Sequence, residues 1–433
     1  MRIESLRLKN FRGFKDLEIN FPENNNVSVF IGINGAGKSS VLDALAILLS
    51  RFAAKLTDTD PRSGAFPFTE DDFNFKANTF VLEVTLTDTD KNRENFFFEV
   101  SRSDGNSRGI KGDVDYIKYL KDQLIENQDL SLPILVYYRT NRFISEQAKD
   151  YQAKTKAFDF PQLYMYKGAF FKRFSSFDDF VIWFTAEEDL ENQIISRENR
   201  DYVNPNLQVI RDAIETFFSA LTSSIFSNLR VNRSRKNSDF RFQPSFNTSL
   251  EIHKDSDVLK ITELSDGEKS LLIIVCDVAR RLAIANPSLS NPREGEGIVL
   301  IDEIDAHLHP QWQREILLAL QTTFPQCQFI TTTHSPQVLS NLRRESIFIL
   351  EDWQVIEENP HSYGRDTNSI LYEFMGVEER PQWMRKRLDH CFHLIDQGEL
   401  DNAKAAIEDL KKTIGENDTE IVRANTMLAF LYD

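Results

Sequence analysis

Polar and apolar positions alternate with a period of two at the start of the chain, which predicts a β-hairpin. Residues 3–21 read IESLRLKNFRGFKDLEINF, with a polar turn at Asn10 to Gly13 between two alternating segments. A short apolar run at Val27 to Ile31 predicts a third strand, and Ser39 to Ser50 carries apolar residues at helical spacing. We therefore predict a strand, a glycine-rich loop and a helix directly after the hairpin.

The middle of the chain combines one more predicted hairpin with a long helical stretch. Alternation at Phe80 to Leu86 and Phe96 to Val100 predicts the hairpin, whereas strand patterns are weak between Phe143 and Phe246. Two segments there have helical periodicity, Phe177 to Asn192 and Leu207 to Asn228. In the first helix we expect Phe180, Trp183 and Phe184 to face inward and Glu187, Glu188 and Glu191 to face solvent.

Strands and helices alternate again after residue 250, which predicts a parallel βαβ sheet. The strands of this sheet are expected at Ile298 to Ile301 and Gln328 to Thr332, with a helix at Gln311 to Thr322 between them, and Ile347 to Glu351 adds one more strand. Before them, Leu250 to Glu263 has strand character and Asp266 to Ile284 is expected to be a helix. The chain ends in a pattern typical of an αα-hairpin, with helices at Leu400 to Ile414 and Asp418 to Tyr432.

Together these elements predict an α/β fold with mixed and parallel sheets. We expect an N-terminal lobe at residues 1–142, a mainly helical insertion at 143–246, a C-terminal lobe at 247–355 and a helical extension at 356–433.

Composition excludes several classes of protein. The chain has 433 residues, 41% hydrophobic and 27% charged, which excludes a disordered protein. Its net charge of −16 gives no global basic field for nucleic acid, so any such binding must be local. Cys276, Cys327 and Cys391 lack CxxC spacing, which favours a reducing cytosol. We find no signal-peptide pattern and no apolar run long enough for a bilayer, and so expect a cytoplasmic protein without membrane contact.

A phosphate-binding motif follows the third predicted strand. Gly32 to Ser39 reads GINGAGKS and matches GxxxxGK[ST], the Walker A pattern, between a strand and a helix. Lys38 is expected to reach the β- and γ-phosphates of ATP, and the Ser39 hydroxyl to bind Mg²⁺. The residues that we expect around the nucleotide are Asn34, Gly35, Ala36, Gly37, Lys38, Ser39 and Ser40.

An acidic pair ends the apolar strand GIVLI. Asp302 and Glu303 lie at its carboxyl end, where α/β sheets bind ligands, as in a Walker B motif. We expect Asp302 to hold Mg²⁺ and Glu303 to polarise the attacking water as general base. His307 and His309 lie nearby, but without a third positioned ligand we do not interpret them as a metal cluster.

Two further motifs complete a family pattern. LSDGEKS at Leu264 to Ser270 places a serine hydroxyl and a glycine at a predicted helix N-terminus, and TTTHSP at Thr331 to Pro336 follows a predicted strand. In this order the four motifs resemble those of the ABC ATPase superfamily. The resemblance implies a P-loop NTPase head with two lobes, a signature at Ser265, Asp266, Gly267 and Glu268, and His334 near the γ-phosphate.

The spacing and the local wording of the motifs resemble the SMC, RecF and OLD-like branch of that superfamily. The branch opens with a basic hairpin, which implies that Arg12 lies near the nucleotide, and Asp305 to His309 would form its D-loop. The branch also implies a two-fold homodimer, because each ATP lies between the Walker A loop of one protomer and the signature of the other. A higher oligomer through the helical parts is a further expectation. We find no Toprim motifs and hence expect no nuclease domain in this chain, and no clear Q-loop glutamine.

Three looser motifs resemble the Septu family of anti-phage ATPases. They are LPILVYYRTNR at Leu132, WFTAEEDLEN at Trp183 and SYGRDTNSIL at Ser362. The resemblance implies a role in antiviral defence with a separate HNH nuclease of the PtuB type. In retron-associated relatives it further implies a reverse transcriptase with its RNA or DNA product, and DNA or RNA as the target of the complex.

Several alternatives stay open. The basic cluster Arg230, Arg233, Arg235, Lys236 and Arg241 is either a solvated loop or a nucleic-acid contact. The C-terminal helices either close the domain or dock a partner. ATP could hold a scaffold or sensor with little turnover, and the chain could be a RecF-like or SMC-like repair ATPase without a nuclease partner.

Overall fold

The structure is a computed structural model, and it describes residues 1–58, 66–75, 77–88, 95–103, 108–112, 114–140, 160–170, 176–235, 246–356, 360–376 and 378–432. The chain forms two compact units, Met1–Arg365 and Asp366–Asp433. The domain boundaries that the sequence suggests at residues 142, 246 and 355 stay predictions.

The elements of the described chain follow in order. The strands are β1 (Arg2–Phe11), β2 (Phe14–Asn20), β3 (Val27–Ile31), β4 (Thr79–Thr87), β5 (Asn95–Ser103), β6 (Arg108–Gly112), β7 (Ile134–Tyr138), β8 (Phe226–Arg235), β9 (Phe246–Lys254), β10 (Asp257–Lys260), β11 (Gly297–Ile301), β12 (Cys327–Thr332), β13 (Ile347–Glu351) and β14 (Gln354–Ile356). The helices are α1 (Lys38–Leu56), α2 (Val114–Glu126), α3 (Ser176–Arg197), α4 (Pro205–Leu221), α5 (Asp266–Ala285), α6 (Pro310–Thr323), α7 (Pro336–Leu339), α8 (Thr367–Met375), α9 (Gln382–Asp396), α10 (Leu400–Ile414) and α11 (Thr419–Tyr432).

A six-stranded sheet carries the loops that matter most for the site. Its order is β14-β13-β3-β12-β11-β7, with β13, β3, β12, β11 and β7 parallel and β14 antiparallel at one edge. Every residue of β3, β7, β11 and β12 is buried, as expected for strands covered on both faces. The parallel βαβ arrangement of the predicted strands at Ile298 to Ile301 and Gln328 to Thr332 is confirmed. The prediction of a strand at Leu250 to Glu263 is wrong as a single element, because this segment forms the end of β9 and all of β10 in a separate antiparallel sheet of order β10-β9-β8.

An antiparallel sheet contains both predicted hairpins. Its order is β2-β1-β4-β5-β6, so the N-terminal hairpin pairs with β4 through β1. Alternate residues of β4 are buried, in agreement with the period-two pattern. In β1 the buried residues are Ile3, Leu6, Leu8 and Phe11, and the pairing with β4 shifts register between Ile3 and Ser5. The side chain of Phe52 on α1 meets Phe96 and Phe98 of β5 with ring centroids 6.2 Å apart in each pair, which joins this sheet to the first helix.

Two expectations for the middle of the chain are wrong. The segment Leu207 to Asn228 is not helical throughout, because α4 ends at Leu221 and β8 begins at Phe226, pairing with β9. Glu188 and Glu191 on α3 are buried rather than solvated. The Glu188 carboxylate accepts the Val231 N–H of β8, and Glu191 pairs with Arg211 of α4 at 2.9 Å. Periodicity did not reveal these partners, which come from distant segments and satisfy the buried charges.

Side-chain caps fix where several helices begin. The Ser265 hydroxyl and the Glu268 side chain form a reciprocal capping box at the start of α5. Asn204 caps α4, and His309 caps α6, each directly before a proline. In the part of the chain that the structure describes, no helix is long and apolar enough to cross a membrane.

The C-terminal unit has a core of its own. Its buried residues come from all three helices α9 to α11 and are Met384, Leu388, Cys391, Leu394, Ile395, Ala403, Ile407, Leu410, Ile421, Ala424 and Leu428. An ion pair of 2.9 Å joins Arg380, before α9, to Asp418, before α11. The predicted helix pair at the end of the chain is confirmed, with α9 packed against it as a third helix.

Candidate functional site

The loop between β3 and α1 ends at an uncapped helix N-terminus. Gly37 is the N-cap residue of α1, with φ of 102°, and no side chain caps the helix or places a carboxylate in its first turn. The first N–H groups of a helix lack intrahelical acceptors and carry a partial positive charge, so this end is suited to an anion. Asn34, Gly35 and Ser39 of the loop are exposed, whereas Ala36 and Ser40 are buried.

Lys38 is held against the backbone of its own loop. Its ammonium group donates to the carbonyl oxygens of Gly32 at 2.9 Å and Ile33 at 3.0 Å. Burial lowers the pKa of Lys38, while the carboxylates of Asp302 and Glu303 act in the opposite direction. The cation is thus partly desolvated and, among the described residues, its hydrogen bonds go to neutral carbonyl groups, a state in which an anionic ligand is a strong competitor.

Asp302 is the centre of a cluster of hydroxyl groups. Its Oδ1 accepts hydrogen bonds from the Ser39 hydroxyl at 3.0 Å and the Thr332 hydroxyl at 2.7 Å, and its Oδ2 accepts from Thr140 at 3.3 Å. Ser39 lies in the first turn of α1, Thr332 ends β12, and Asp302 and Thr140 follow β11 and β7, so four elements meet at one point. Carboxylate and hydroxyl oxygens are the donors that Mg²⁺ prefers, so Ser39 and Asp302 fit the predicted cation.

Glu303 follows Asp302 in a left-handed backbone conformation, with φ of 48°. Its N–H donates to the Thr332 hydroxyl at 2.7 Å, and the next N–H, of Ile304, donates to the Thr332 carbonyl at 3.0 Å. Positive φ is uncommon outside glycine and often marks functional sites. The Thr332 hydroxyl therefore contacts both acidic residues: it donates to the Asp302 carboxylate and accepts from the Glu303 N–H.

Arg12 lies at the turn between β1 and β2 and reaches the first helix. Its guanidinium forms ion pairs with Asp43 at 2.9 Å and Asp72 at 3.0 Å, and donates to the Ser40 hydroxyl at 3.1 Å. Asp43 also pairs with Arg139 at 2.8 Å. Two guanidinium groups thus meet two carboxylates beside α1, and the predicted position of Arg12 near a nucleotide stays a prediction.

The predicted signature residues lie at the start of α5. The Ser265 hydroxyl donates to Glu268 at 2.8 Å, and Lys254 of β9 pairs with the same carboxylate at 2.7 Å. Burial would raise the pKa of Glu268, but the hydrogen bonds from Lys254 and Ser265 outweigh it and lower that pKa. Asp266 is exposed.

Gly267 packs closely on the segment after Asp302. A Cβ atom added to Gly267 would lie 2.6 Å from the carbonyl oxygen of His307, too close for any other residue without a backbone shift. Among the described residues, no hydrogen bond or ion pair joins Ser265–Glu268 to the Gly32–Ser40 loop.

His334 follows β12 and its side chain is exposed. Desolvation of part of its ring lowers the pKa of His334, and the charge of Lys38 acts in the same direction. The carboxylates of Asp305 and Glu303 oppose this shift. The imidazole is therefore neutral at pH 7 and can donate one hydrogen bond to an anion.

The basic cluster is partly neutralised. Arg230 pairs with Glu251 at 3.8 Å, and Arg233 pairs with Asp189 of α3. The Arg235 side chain and all of Lys236 lie outside the described residues. The expectation of a solvated loop is wrong for Arg230 and Arg233, because both lie on β8 and pair with β9, and a nucleic-acid contact stays a prediction.

Sequence reasoning missed four residues of this site. Thr140, Thr332, Asp43 and Arg139 have no motif of their own, although Thr332 belongs to the quoted TTTHSP segment and Thr140 stands where a Q-loop residue was sought. The available signal is position, since Thr332 ends β12 and Thr140 lies two residues after β7, the two strands that flank the Asp302 strand.

The sheet order and the loop between β3 and α1 define the P-loop NTPase fold. The chain belongs to the family described as "AAA domain, putative AbiEii toxin, Type IV TA system", whose model matches residues 27–340.

The chain is also similar to individual proteins. It is 29% identical to "Retron Vc95 probable ATPase" of Vibrio cholerae serotype O1 biovar El Tor, over 88% of this chain and 80% of that protein. It is 23% identical to "Septu protein PtuA" of Bacillus mycoides, over 91% of this chain and 47% of that protein. Among solved structures, an SMC head bound to the C-winged helix domain of ScpA is 16% identical, with a TM-score of 0.47, over 82% of this chain and 98% of that one.

Proposed function

We propose that this protein is an ATP-binding and ATP-hydrolysing subunit of an anti-phage defence complex. The observation that carries the proposal is the meeting of the Lys38 loop with Asp302, where the Ser39 hydroxyl lies 3.0 Å from the carboxylate beside an uncapped helix N-terminus. The similarity to a retron ATPase and a Septu protein supports the defence role.

The chain's own groups supply the binding of the triphosphate. The N–H groups at the start of α1 donate hydrogen bonds to the phosphate oxygens, and Lys38 exchanges its two carbonyl acceptors for the β- and γ-phosphates. Asn34, Gly35, Ala36, Gly37 and Ser40 complete the loop, with Arg12 beside it. Mg²⁺, when bound, neutralises charge on the phosphate oxygens, and Ser39 and Asp302 are the residues that would hold it.

Glu303 is the proposed general base for hydrolysis. It lies directly after Asp302, it is half-buried, and its backbone is fixed by the Thr332 hydroxyl. In this position its carboxylate orients a water and takes its proton as the oxygen attacks the γ-phosphorus and the bond to the β-phosphate oxygen breaks. His334, which follows β12, donates a hydrogen bond to the γ-phosphate.

A complete site in this proposal needs two copies of the chain. Ser265 to Glu268 form no polar contact with the Gly32–Ser40 loop of the same copy among the described residues, and Ser265 and Asp266 are exposed at the start of α5. We propose that they contact the nucleotide of a second protomer in a two-fold homodimer.

The Glu303→Gln variant tests both hydrolysis and dimerisation. Loss of the base should slow phosphate release by about 10² to 10⁴-fold while ATP binding persists. Trapped Mg-ATP should then shift the variant from monomer to dimer in light scattering. Glu345→Gln, an exposed carboxylate on the same unit, is the matched control and should behave like the wild type. Hydrolysis at the wild-type rate in Glu303→Gln would contradict the role of Glu303 as general base. A variant that stays monomeric in Mg-ATP would contradict the proposed dimer with shared nucleotide sites.

The defence role requires a partner that carries the nuclease activity. We propose a separate HNH nuclease, with a reverse transcriptase and its nucleic-acid product as further partners of a retron-type complex and DNA or RNA as the target. Affinity purification of the tagged protein from its host, with ATP high or depleted, should recover this nuclease. Recovery of DNA and repair proteins alone would favour the alternative of a RecF-like repair ATPase.

A further inference from the structure

Trp353 occupies a strained turn beside the phosphate-binding loop. Asp352 and Trp353 form the two-residue connection between β13 and β14, with φ of 47° and 63°. A two-residue hairpin turn with positive φ at both positions normally contains asparagine and glycine, and a bulky residue there is an outlier. Such conformations persist where surrounding structure or function requires them.

Two glycines make room for the indole ring. A Cβ atom on Gly13, at the β1–β2 turn, would lie 2.0 Å from the ring of Trp353, and a Cβ atom on Gly37 would lie 2.8 Å from it. The ring also meets Phe14 edge-to-face, with centroids 5.1 Å apart. Gly37 is the N-cap residue of α1, so the indole lies directly against the loop proposed to hold the phosphates.

The indole ring is less buried from solvent than a core side chain. Trp353 is only partly buried, and its ring N–H has no hydrogen-bond partner among the described residues. Buried tryptophans usually find a partner for this group. The ring of Trp353 is large, partly exposed and in contact with the phosphate-binding loop. It is therefore suited to stack on a planar part of a ligand whose phosphates are bound by that loop.

We propose that Trp353 is a specificity-determining residue that stacks on the base of the bound nucleotide. The inference rests on the proposed nucleotide site and adds to it the element that recognises the base. The stacking energy of a base on an aromatic ring predicts roughly 10-fold to 100-fold weaker binding without the ring.

Binding of ADP and of inorganic pyrophosphate, each with Mg²⁺, separates stacking from simple packing. In the full chain, Trp353→Ala should weaken ADP binding by roughly 10-fold or more and leave pyrophosphate binding unchanged. Trp353→Phe, which keeps an aromatic ring, should retain most of the ADP affinity. Trp383→Ala, at an exposed tryptophan of the C-terminal unit, is the matched control and should change neither ligand.

The outcomes distinguish base stacking by Trp353 from the proposed nucleotide site on which it rests. Equal loss of ADP and pyrophosphate binding in Trp353→Ala would show that the indole only supports the loop, and would overturn the inference while the nucleotide site stands. A wild-type chain that binds neither ligand would overturn the nucleotide site itself. A measurement independent of variant folding is tryptophan fluorescence of the wild type, which ADP should quench and pyrophosphate should not; equal quenching by both would contradict stacking.

Discussion

The Ser39 hydroxyl donates a hydrogen bond of 3.0 Å to the carboxylate of Asp302, although 263 positions separate the two residues in the chain. The contact exists because β3 and β11 lie on either side of β12 in one parallel sheet, so the loops at their carboxyl ends meet at the same edge. Two motifs that are far apart in sequence therefore form one site through the sheet order alone.

Lys38→Ala tests the anion site most directly. In the part of the chain that the structure describes, the Lys38 ammonium bonds only to two carbonyl oxygens of its own loop, so its removal should leave the fold intact and remove the main cation for the triphosphate. We expect phosphate release to fall by at least about 100-fold. Lys55→Ala is the matched control, because Lys55 is on the same helix and burial also lowers its pKa. Unchanged phosphate release in Lys38→Ala would contradict the site assignment.

Thr332 and Thr331 are neighbours that should respond oppositely to the same substitution. Thr332→Val removes a buried hydroxyl that bonds both Asp302 and the Glu303 N–H, and should lower the free energy of unfolding by about 1 to 3 kcal/mol and reduce phosphate release. The Thr331 hydroxyl is buried without a partner among the described residues, so Thr331→Val should be neutral or stabilising. Chemical denaturation measures both variants, and Thr332→Ser should retain wild-type behaviour. Equal effects at the two positions would contradict the role given to Thr332.

Asp277 holds a buried charge network in α5. Its carboxylate pairs with Arg280 at 2.6 Å and Arg281 at 2.8 Å and accepts the Tyr138 hydroxyl at 2.8 Å. Burial alone would raise the pKa of Asp277, but the two arginines lower it to about 2. Because this folded-state pKa is below the ordinary value, the carboxylate stabilises the fold above about pH 4, and the contribution is lost as pH falls towards 2.

Asp277→Asn should therefore be strongly destabilising and less sensitive to acid. It leaves two buried guanidinium groups without their carboxylate, which predicts a loss of about 3 to 5 kcal/mol. Denaturation curves between pH 2 and 7 should show the wild type losing this advantage over the variant at the acidic end. Asp266→Asn, at an exposed carboxylate of the same helix, should change stability little. Equal pH profiles for wild type and Asp277→Asn would contradict the network.

The sequence predicts most elements and the residues that belong to motifs, and misses contacts that only the fold creates. Lys38, Ser39, Asp302 and Glu303 follow from local patterns of strand, loop and helix. Asp43 does not, because it lies among apolar residues of α1 and its arginine partners come from other parts of the chain.

The prediction that Glu188 faces solvent is wrong for the same physical reason. Helical periodicity predicts that a charged residue faces solvent. Only the packing of β8 against this helix shows that the N–H of Val231 donates a hydrogen bond to the Glu188 carboxylate. Burial raises the pKa of Glu188, which is consistent with a carboxylate largely removed from water. Periodicity thus describes a helix by itself, whereas the burial of a charge depends on the elements that pack against it.

Truncation of the C-terminal unit should depend sharply on where the chain is cut. All residues proposed to contact the nucleotide lie in Met1–Arg365, so a chain that ends at Arg365 should keep ATP hydrolysis. A chain that ends at Leu400 keeps α9 but loses α10 and α11, and so exposes Met384, Leu388 and Cys391, which pack against Ile407 and Ile421 in the intact unit. We expect the chain that ends at Leu400 to aggregate, because an exposed apolar face of this kind promotes association.

Size-exclusion chromatography and phosphate release on the two truncations measure this difference. If the chain ending at Arg365 hydrolyses ATP but no longer recovers the nuclease from lysate, the C-terminal unit is the docking element; recovery of the nuclease by this chain would place docking within Met1–Arg365. A chain ending at Leu400 that is as monodisperse as the full protein would show that α9 does not need α10 and α11, contrary to the shared core that the structure describes.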